Sequence, residues 1–154
     1  PANHEISPVT ELLLVFAARA QNVDERLLPA LRQGRMVVSD RFTDSTLAYQ
    51  GAACGLGADT VLEVDRIACR GLVPDLTLYF DIDVETGLAR ARQRNQRGDG
   101  AEARIDNRDI AFHKRARAEY LRIATDEPNR FHVIDASRGI EEVAEEVWSA
   151  VQSL

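Results

Sequence analysis

A chain of 154 residues that is 45% hydrophobic can bury one core, which predicts a single domain over residues 1–154. The formal charge of −6 and a pI near 5.1 exclude a protein that grips polyanions over its whole surface. No apolar run approaches the roughly 18 residues of a membrane helix, so no membrane partner is expected. Pro1-Ala2-Asn3-His4 is no targeting signal, and Cys54 and Cys69 lack CxxC spacing. Both features predict reduced thiols in a cytoplasmic protein.

Along the chain, Ser7-Pro8 reads as a helix N-cap followed by proline at the first helical position. Phe16, Ala20, Val23, Leu27 and Leu31 then recur at helical spacing and form one apolar stripe. Pro29 should kink or end this helix, and Gly34 should mark its exit. Val37–Ser39, inside "RMVVSD", reads as a short strand covered on both faces. "GAACGLGAD" (Gly51 to Asp59) reads as a surface loop, leading into a helix from about Asp59 to Arg70. "PDLTLYFDID" predicts a second strand at Leu76–Phe80, and "ETGLARARQRNQR" a helix ended by Gly98-Asp99-Gly100. Ile105 to Ala124 reads as mostly helical, His132–Ile134 as a third strand, and Ile140 to Val151 as an amphipathic closing helix. Helices alternating with apolar strands predict the α/β class, a parallel sheet flanked by helices. Three strands make a small sheet, and the chain opens on a helix where such domains usually open on a strand.

Each predicted strand ends in an acid: Asp40, Asp81 and Asp135. Ligands of open parallel sheets bind beyond the carboxyl ends of the strands, and Asp40-Arg41 falls there. Arg suits a bidentate grip on phosphate, and Asp suits Mg²⁺ or its water shell. Thr43, Ser45, Thr46, Tyr49 and Gln50 follow, and the Gln50 amide can either read a pyrimidine edge or face solvent. Asp81 and Asp83 read as ordinary polar strand closure.

A second constellation is Arg90, Arg92, Arg94 and Arg97, four cations in eight residues with no acid among them. Positions 90, 94 and 97 share a helix face, and 92 does not. Such a face is either solvated or an anion-binding lid over about residues 90–108, with glycines to hinge it. Arg19, at the border of the apolar stripe, either snorkels to water or bonds a ligand carbonyl beside Phe16. His4, His113 and His132 show no metal-ligand spacing, and His113 is expected on a helix surface. Of 19 basic residues 18 are Arg; Lys114 is the single Lys, so no Gly-Lys-Ser/Thr of a Walker A loop occurs in these residues.

The stretches "LLLVFAARAQ", "PALRQGRMVVSDRFTDSTLAYQG", "VPDLTLYFDIDVETGLARAR", "RID" and "HVIDAS" together resemble bacterial thymidylate (dTMP) kinase. The resemblance runs along essentially the whole chain, and "DRFTDSTLAYQG" is its most specific piece. It implies a P-loop nucleoside-monophosphate-kinase-like fold and phosphoryl transfer from ATP, with Mg²⁺, to dTMP. A homodimer through the Ser7–Leu31 helix region is expected, and the charge of −6 with no aromatics interleaved among the arginines predicts no nucleic-acid partner. The resemblance further implies that the family's first strand, Walker A loop and first helix would precede Pro1, so residues 1–154 alone are expected to be inactive.

The same resemblance implies roles for single residues. Arg41 would grip the dTMP phosphate, and Asp40 would order Mg²⁺ or the attacking phosphate oxygen. Arg19 would bond the thymine O4, with Phe16 packing nearby. Ser45 and Thr46 would lie beside the base, Tyr49 under the deoxyribose, and Gln50 against thymine. Arg90, Arg92, Arg94, Arg97 and Arg104 would supply the lid over ATP, with Arg94, Arg97 and Arg104 as its catalytic cations. Three departures stand out: Asp106 where many relatives have Glu, Val15 where many have the stacking Phe, and a longer stretch from Asn95 to Ala103. Three other readings compete: a deoxynucleoside kinase with a neutral acceptor, a non-enzymatic dimerising remnant, and a nucleic-acid role for the Arg segment, which the net charge of −6 and the lack of interleaved aromatics weaken.

Overall fold

The computed structural model describes residues Ile6–Gln96 and Ala103–Leu154, leaving aside the side chains of 95, 96, 103 and 104. The chain divides into two compact units, Pro1–Val73 and Pro74–Leu154.

The first unit is helical. Helix α1 (Pro8–Asn22) starts as its sequence dictates, with the Ser7 hydroxyl accepting from the Thr10 backbone N–H at 3.1 Å and Pro8 in the first turn. The chain then widens into a π-helical segment (Val23–Leu27) in which Leu28 N–H bonds back to the Val23 carbonyl, before α2 (Leu28–Arg32). Pro29 therefore does not end the helix. Its ring and missing N–H are accommodated by the wider turn that precedes it. Gly34, at φ 68°, closes the run, in a conformation open to glycine at little cost.

Val37–Ser39 form no strand. Residues 35–39 carry no regular secondary structure, and Val38 is 91% exposed. A strand needs a neighbour to satisfy its backbone N–H and C=O groups. Among the described residues the sheet has two strands, and neither pairs with this stretch.

Beyond it come α3 (Thr43–Thr46), a second π-helical segment (Leu47–Ala53) and α4 (Ala58–Ala68). The expected surface loop at Gly51 is instead partly interior: Gly51 and Ala53 are buried. A Cβ on Gly51 would stand 3.4 Å from the Val61 Cγ2, so glycine lets the segment and α4 approach closely. Leu12, Phe16, Val23, Leu27, Leu47, Val61 and Cys69 form this unit's core.

The second unit is α/β. Strand β1 (Thr77–Asp81) pairs in parallel with β2 (Phe131–Asp135), Tyr79 opposite Val133 and Phe80 opposite Ile134. Helices α5 (Val84–Gln96), α6 (Ala103–Asp106) and α7 (Ile110–Asp126) lie between them in sequence, the crossover that a parallel pair requires. Helix α8 (Ile140–Gln152) follows β2. The Tyr79 ring stacks on Tyr120 of α7 at 4.4 Å, and Phe112, Ile123, Phe131 and Ile134 are buried around them. The α/β class and the parallel pairing thus stand, with two strands in place of three.

Candidate nucleotide-binding site

Asp40 and Arg41 sit in a turn just before α3, and both are exposed. Arg41 adopts φ 65°, a left-handed backbone that a bulky residue rarely takes and that costs on the order of 1–3 kcal/mol. The turn is held in place from several sides. The Ser39 hydroxyl donates to the Arg41 carbonyl at 3.1 Å, the Arg19 Nη2 donates to the Phe42 carbonyl at 3.2 Å, and the Thr43 hydroxyl donates to Asp65 at 2.5 Å. Arg41 itself folds back along α3: its Nη1 donates to the Ser45 hydroxyl at 3.2 Å, and its guanidinium lies 5.1 Å from the Tyr49 ring centroid. A cation propped on an aromatic face and a hydroxyl, yet still exposed, is preorganised to meet an anion.

Arg19 approaches from α1. Its guanidinium packs over the rings of Phe16 (4.9 Å) and Phe42 (5.2 Å), and its buried Nη1 has no hydrogen-bond partner among the described residues. Burial pulls its pKa down, and neighbouring Cys69 and Asp65 pull it back up. An orphaned buried donor costs free energy unless something accepts from it. Phe16 is 2% exposed, so its ring serves as the floor beneath Arg19.

Ser45, Thr46 and Gln50 are all buried, and Tyr49 is half-buried. Gln50 donates from Nε2 to the Glu11 carboxylate at 2.7 Å. Neither that partner nor the Thr43–Asp65 contact is visible in the sequence, because each joins residues 22 or more positions apart.

In the second unit the arginines of α5 separate. Arg90 Nη1 donates to the Ala136 carbonyl at 3.0 Å, just past β2. Arg94 pairs with Asp106 at 3.5 Å, so the acid-free stretch from Arg90 meets a carboxylate supplied by α6. Arg92 is exposed. Arg97, the Gly98–Gly100 hinge and the side chain of Arg104 lie outside the described residues. Asp81 is fully committed to structure: both its oxygens accept from Arg117 at 2.7 Å. His113 is partly covered by its neighbours instead of standing on the surface, its ring edge-on to Phe112 and its Nε2 buried. Among the described residues no three His, Cys, Asp or Glu cluster as a metal cage, and neither Cys54 nor Cys69 is in a disulfide.

A propped cation at a strained turn, buried hydroxyls and an amide on the following helix, and a half-covered aromatic are the kinds of group that a nucleotide-binding protein needs for a phosphate and a base. The comparisons make the class particular. The thymidylate kinase family model matches residues 2–147. The chain is 47% identical over 150 residues to a thymidylate kinase of Pelobacter propionicus, covering 97% of this chain and 68% of that protein. It is 42% identical to one from Anoxybacillus flavithermus (100% and 72%) and 45% identical to one from Geotalea uraniireducens (97% and 70%). The chain belongs to the thymidylate kinase family.

Proposed function

We propose that the protein phosphorylates dTMP to dTDP and that residues 37–51 with α1 form the acceptor site. Family membership supports the reaction. The observation that carries the site is Arg41, held at φ 65° and propped on Ser45 and Tyr49 where a phosphate would arrive. Arg19 would donate its unpartnered Nη1 to the thymine O4, Gln50 would meet the base edge, and Tyr49 would underlie the deoxyribose. Ser45 and Thr46 would line the base side, with Thr46 acting from within the core.

Phosphoryl transfer asks the protein mostly for position and charge neutralisation. ATP is the donor in this reading, with Arg90, Arg92, Arg94, Arg97 and Arg104 as lid cations. Arg94 arrives already screened by Asp106. A lone exposed carboxylate at Asp40, with no protein cage among the described residues, fits Mg²⁺, which keeps most of its waters and leans on substrate phosphates. Bound there, Mg²⁺ would neutralise phosphate charge. Asp40 would hold it through water.

One family model spans both compact units, which supports treating residues 1–154 as parts of one kinase domain with a lid over about 90–108. The outward apolar residues Val9, Leu13 and Leu14 of α1 support a homodimer through the Ser7–Leu31 region. Family membership supports a cytoplasmic location, and no described helix is long and apolar enough to cross a membrane. The test is calorimetric titration with dTMP, thymidine and dCMP. Binding of dTMP that thymidine cannot match supports a monophosphate acceptor, whereas equal binding of thymidine would point to a nucleoside kinase. Turnover is tested by fusing to this chain the part of the Pelobacter relative that it does not cover and following ADP release with dTMP.

A further inference from the structure

Gln50 is 7% exposed, and its amide Nε2 donates to the Glu11 Oε1 at 2.7 Å, from the second π-helical segment to α1. A carboxylate offers acceptors only. The end of the amide that meets Glu11 is therefore its NH₂, and the planar group must turn its oxygen elsewhere. We propose that Glu11 is a positioning residue that sets the base specificity of the acceptor site, by holding the Gln50 amide so that its oxygen faces the base as an acceptor. The proposal rests on the reading above that Gln50 meets the base edge.

The consequence is a choice between pyrimidines. Thymine and uracil carry N–H at N3, a donor, while cytosine carries a lone pair there. An amide oxygen meeting N3–H completes a hydrogen bond. Meeting a lone pair, it leaves two acceptors opposed in a site with little water to relieve them. A glutamine without Glu11 can rotate its amide by half a turn and present NH₂ to cytosine instead. A helix residue that never touches the nucleotide would thus convert an ambivalent side chain into a one-way reader. Buried polar groups discriminate well because the wrong ligand leaves them unpaired.

Calorimetric titration with dTMP, dCMP and N3-methyl-dTMP tests this in wild type, Glu11→Gln and Gln50→Ala. Wild type should bind dTMP at least about tenfold more tightly than either analogue. Glu11→Gln keeps shape and hydrogen bonding but can offer its own NH₂ or oxygen, so the Gln50 amide is freed. Its preference for dTMP over dCMP should fall about tenfold, chiefly through tighter dCMP binding, with the melting temperature little changed. A general loosening of the fold would weaken all three ligands together and would overturn the proposal. If Gln50→Ala leaves all three affinities unchanged, Gln50 does not face the base, and the site reading fails. If Gln50→Ala weakens dTMP while Glu11→Gln keeps full discrimination, only the role of Glu11 fails. Should Glu11→Gln not fold, the Gln50 side-chain amide resonances in wild type decide: nuclear Overhauser contacts from the NH₂ protons to the Glu11 γ-protons are expected. NH₂ contacts to a bound thymine instead would overturn the assignment.

Discussion

The Arg41 Nη1 reaches the Ser45 hydroxyl at 3.2 Å, one helical turn ahead, from a backbone held at φ 65°. The left-handed turn is what sends the guanidinium back over α3 and onto the Tyr49 ring. Strain of this kind persists only where the surroundings over-determine it. Arg41→Gly should therefore separate stability from function. Glycine takes this φ freely, so denaturant midpoints should hold or rise, by up to about 1 kcal/mol. Affinity for dTMP should drop tenfold or more, since a charge-assisted phosphate bond contributes about 1.5–3 kcal/mol. A clear loss of stability would show that the turn is not strained.

Arg19→Lys keeps the charge but replaces a planar fork with a compact ammonium. In the native protein Nη2 holds the Phe42 carbonyl, while Nη1 remains for a ligand. One ammonium on a shorter reach cannot do both. Affinity for dTMP should fall about tenfold, whereas affinity for deoxyribose 5-phosphate, which lacks the base, should hardly move. Parallel losses for the two ligands would remove Arg19 from base recognition.

Cys69 sits beneath this site, fully buried, and its thiol pKa is pushed up to about 12, mainly by burial and then by its contact with Asp65. Between the ordinary value of 9.0 and about 12, the unfolded chain gives up the thiol proton while the folded one keeps it. Stability from this group is thus complete below pH 9 and declines as pH rises from there toward 12. Melting temperatures taken from pH 8 to 10.5 should fall less steeply in Cys69→Ala than in wild type. Alkylation at pH 9 should modify Cys54 well before Cys69. Equal rates would contradict the burial.

Lys114 is the one lysine of the sequence, and it is paired with Glu85 at 2.8 Å on the second unit. A polypeptide of these 154 residues therefore carries neither a Gly-Lys-Ser/Thr motif nor a lysine positioned by a phosphate-cradling loop. Arginines attract anions but do not replace a preorganised row of backbone N–H groups. With its mass verified at 17.1 kDa, that polypeptide should release no dTMP-dependent ADP above background, although dTMP still binds. Turnover near about 1 s⁻¹, ordinary for kinases, would overturn this expectation.

Much of this protein is legible from one dimension because it depends on near neighbours in sequence. Ser7 caps α1 because its hydroxyl meets a backbone N–H three residues on. Gly34 ends the following helical run because glycine takes positive φ. The apolar runs of Leu76–Phe80 and His132–Ile134, separated by helical stretches, mark a parallel pair because parallel strands need a long crossover between them. The short segment from Asp40 to Gln50 displays by residue type alone which polar groups it carries.

Tertiary structure decided the rest, and the reason is separation along the chain. The apolar run at Val37–Ser39 satisfies every local rule for a strand, but strands exist by pairing, and no partner strand is present among the described residues. Gly51 looked like loop chemistry because a glycine's role is set by what approaches it, here Val61. Asp106 looked like a departure from pattern, yet it meets Arg94 twelve residues earlier. The same holds for the contacts around the proposed acceptor site: Gln50 finds Glu11 across 39 residues, Thr43 finds Asp65 across 22, and Arg19 finds the Phe42 carbonyl across 23. The sequence by itself determined which groups this protein owns. Only the packing of α1 and α4 against the turn decided which way those groups point, because a hydrogen bond reaches about 3 Å in space and takes no account of distance along the chain.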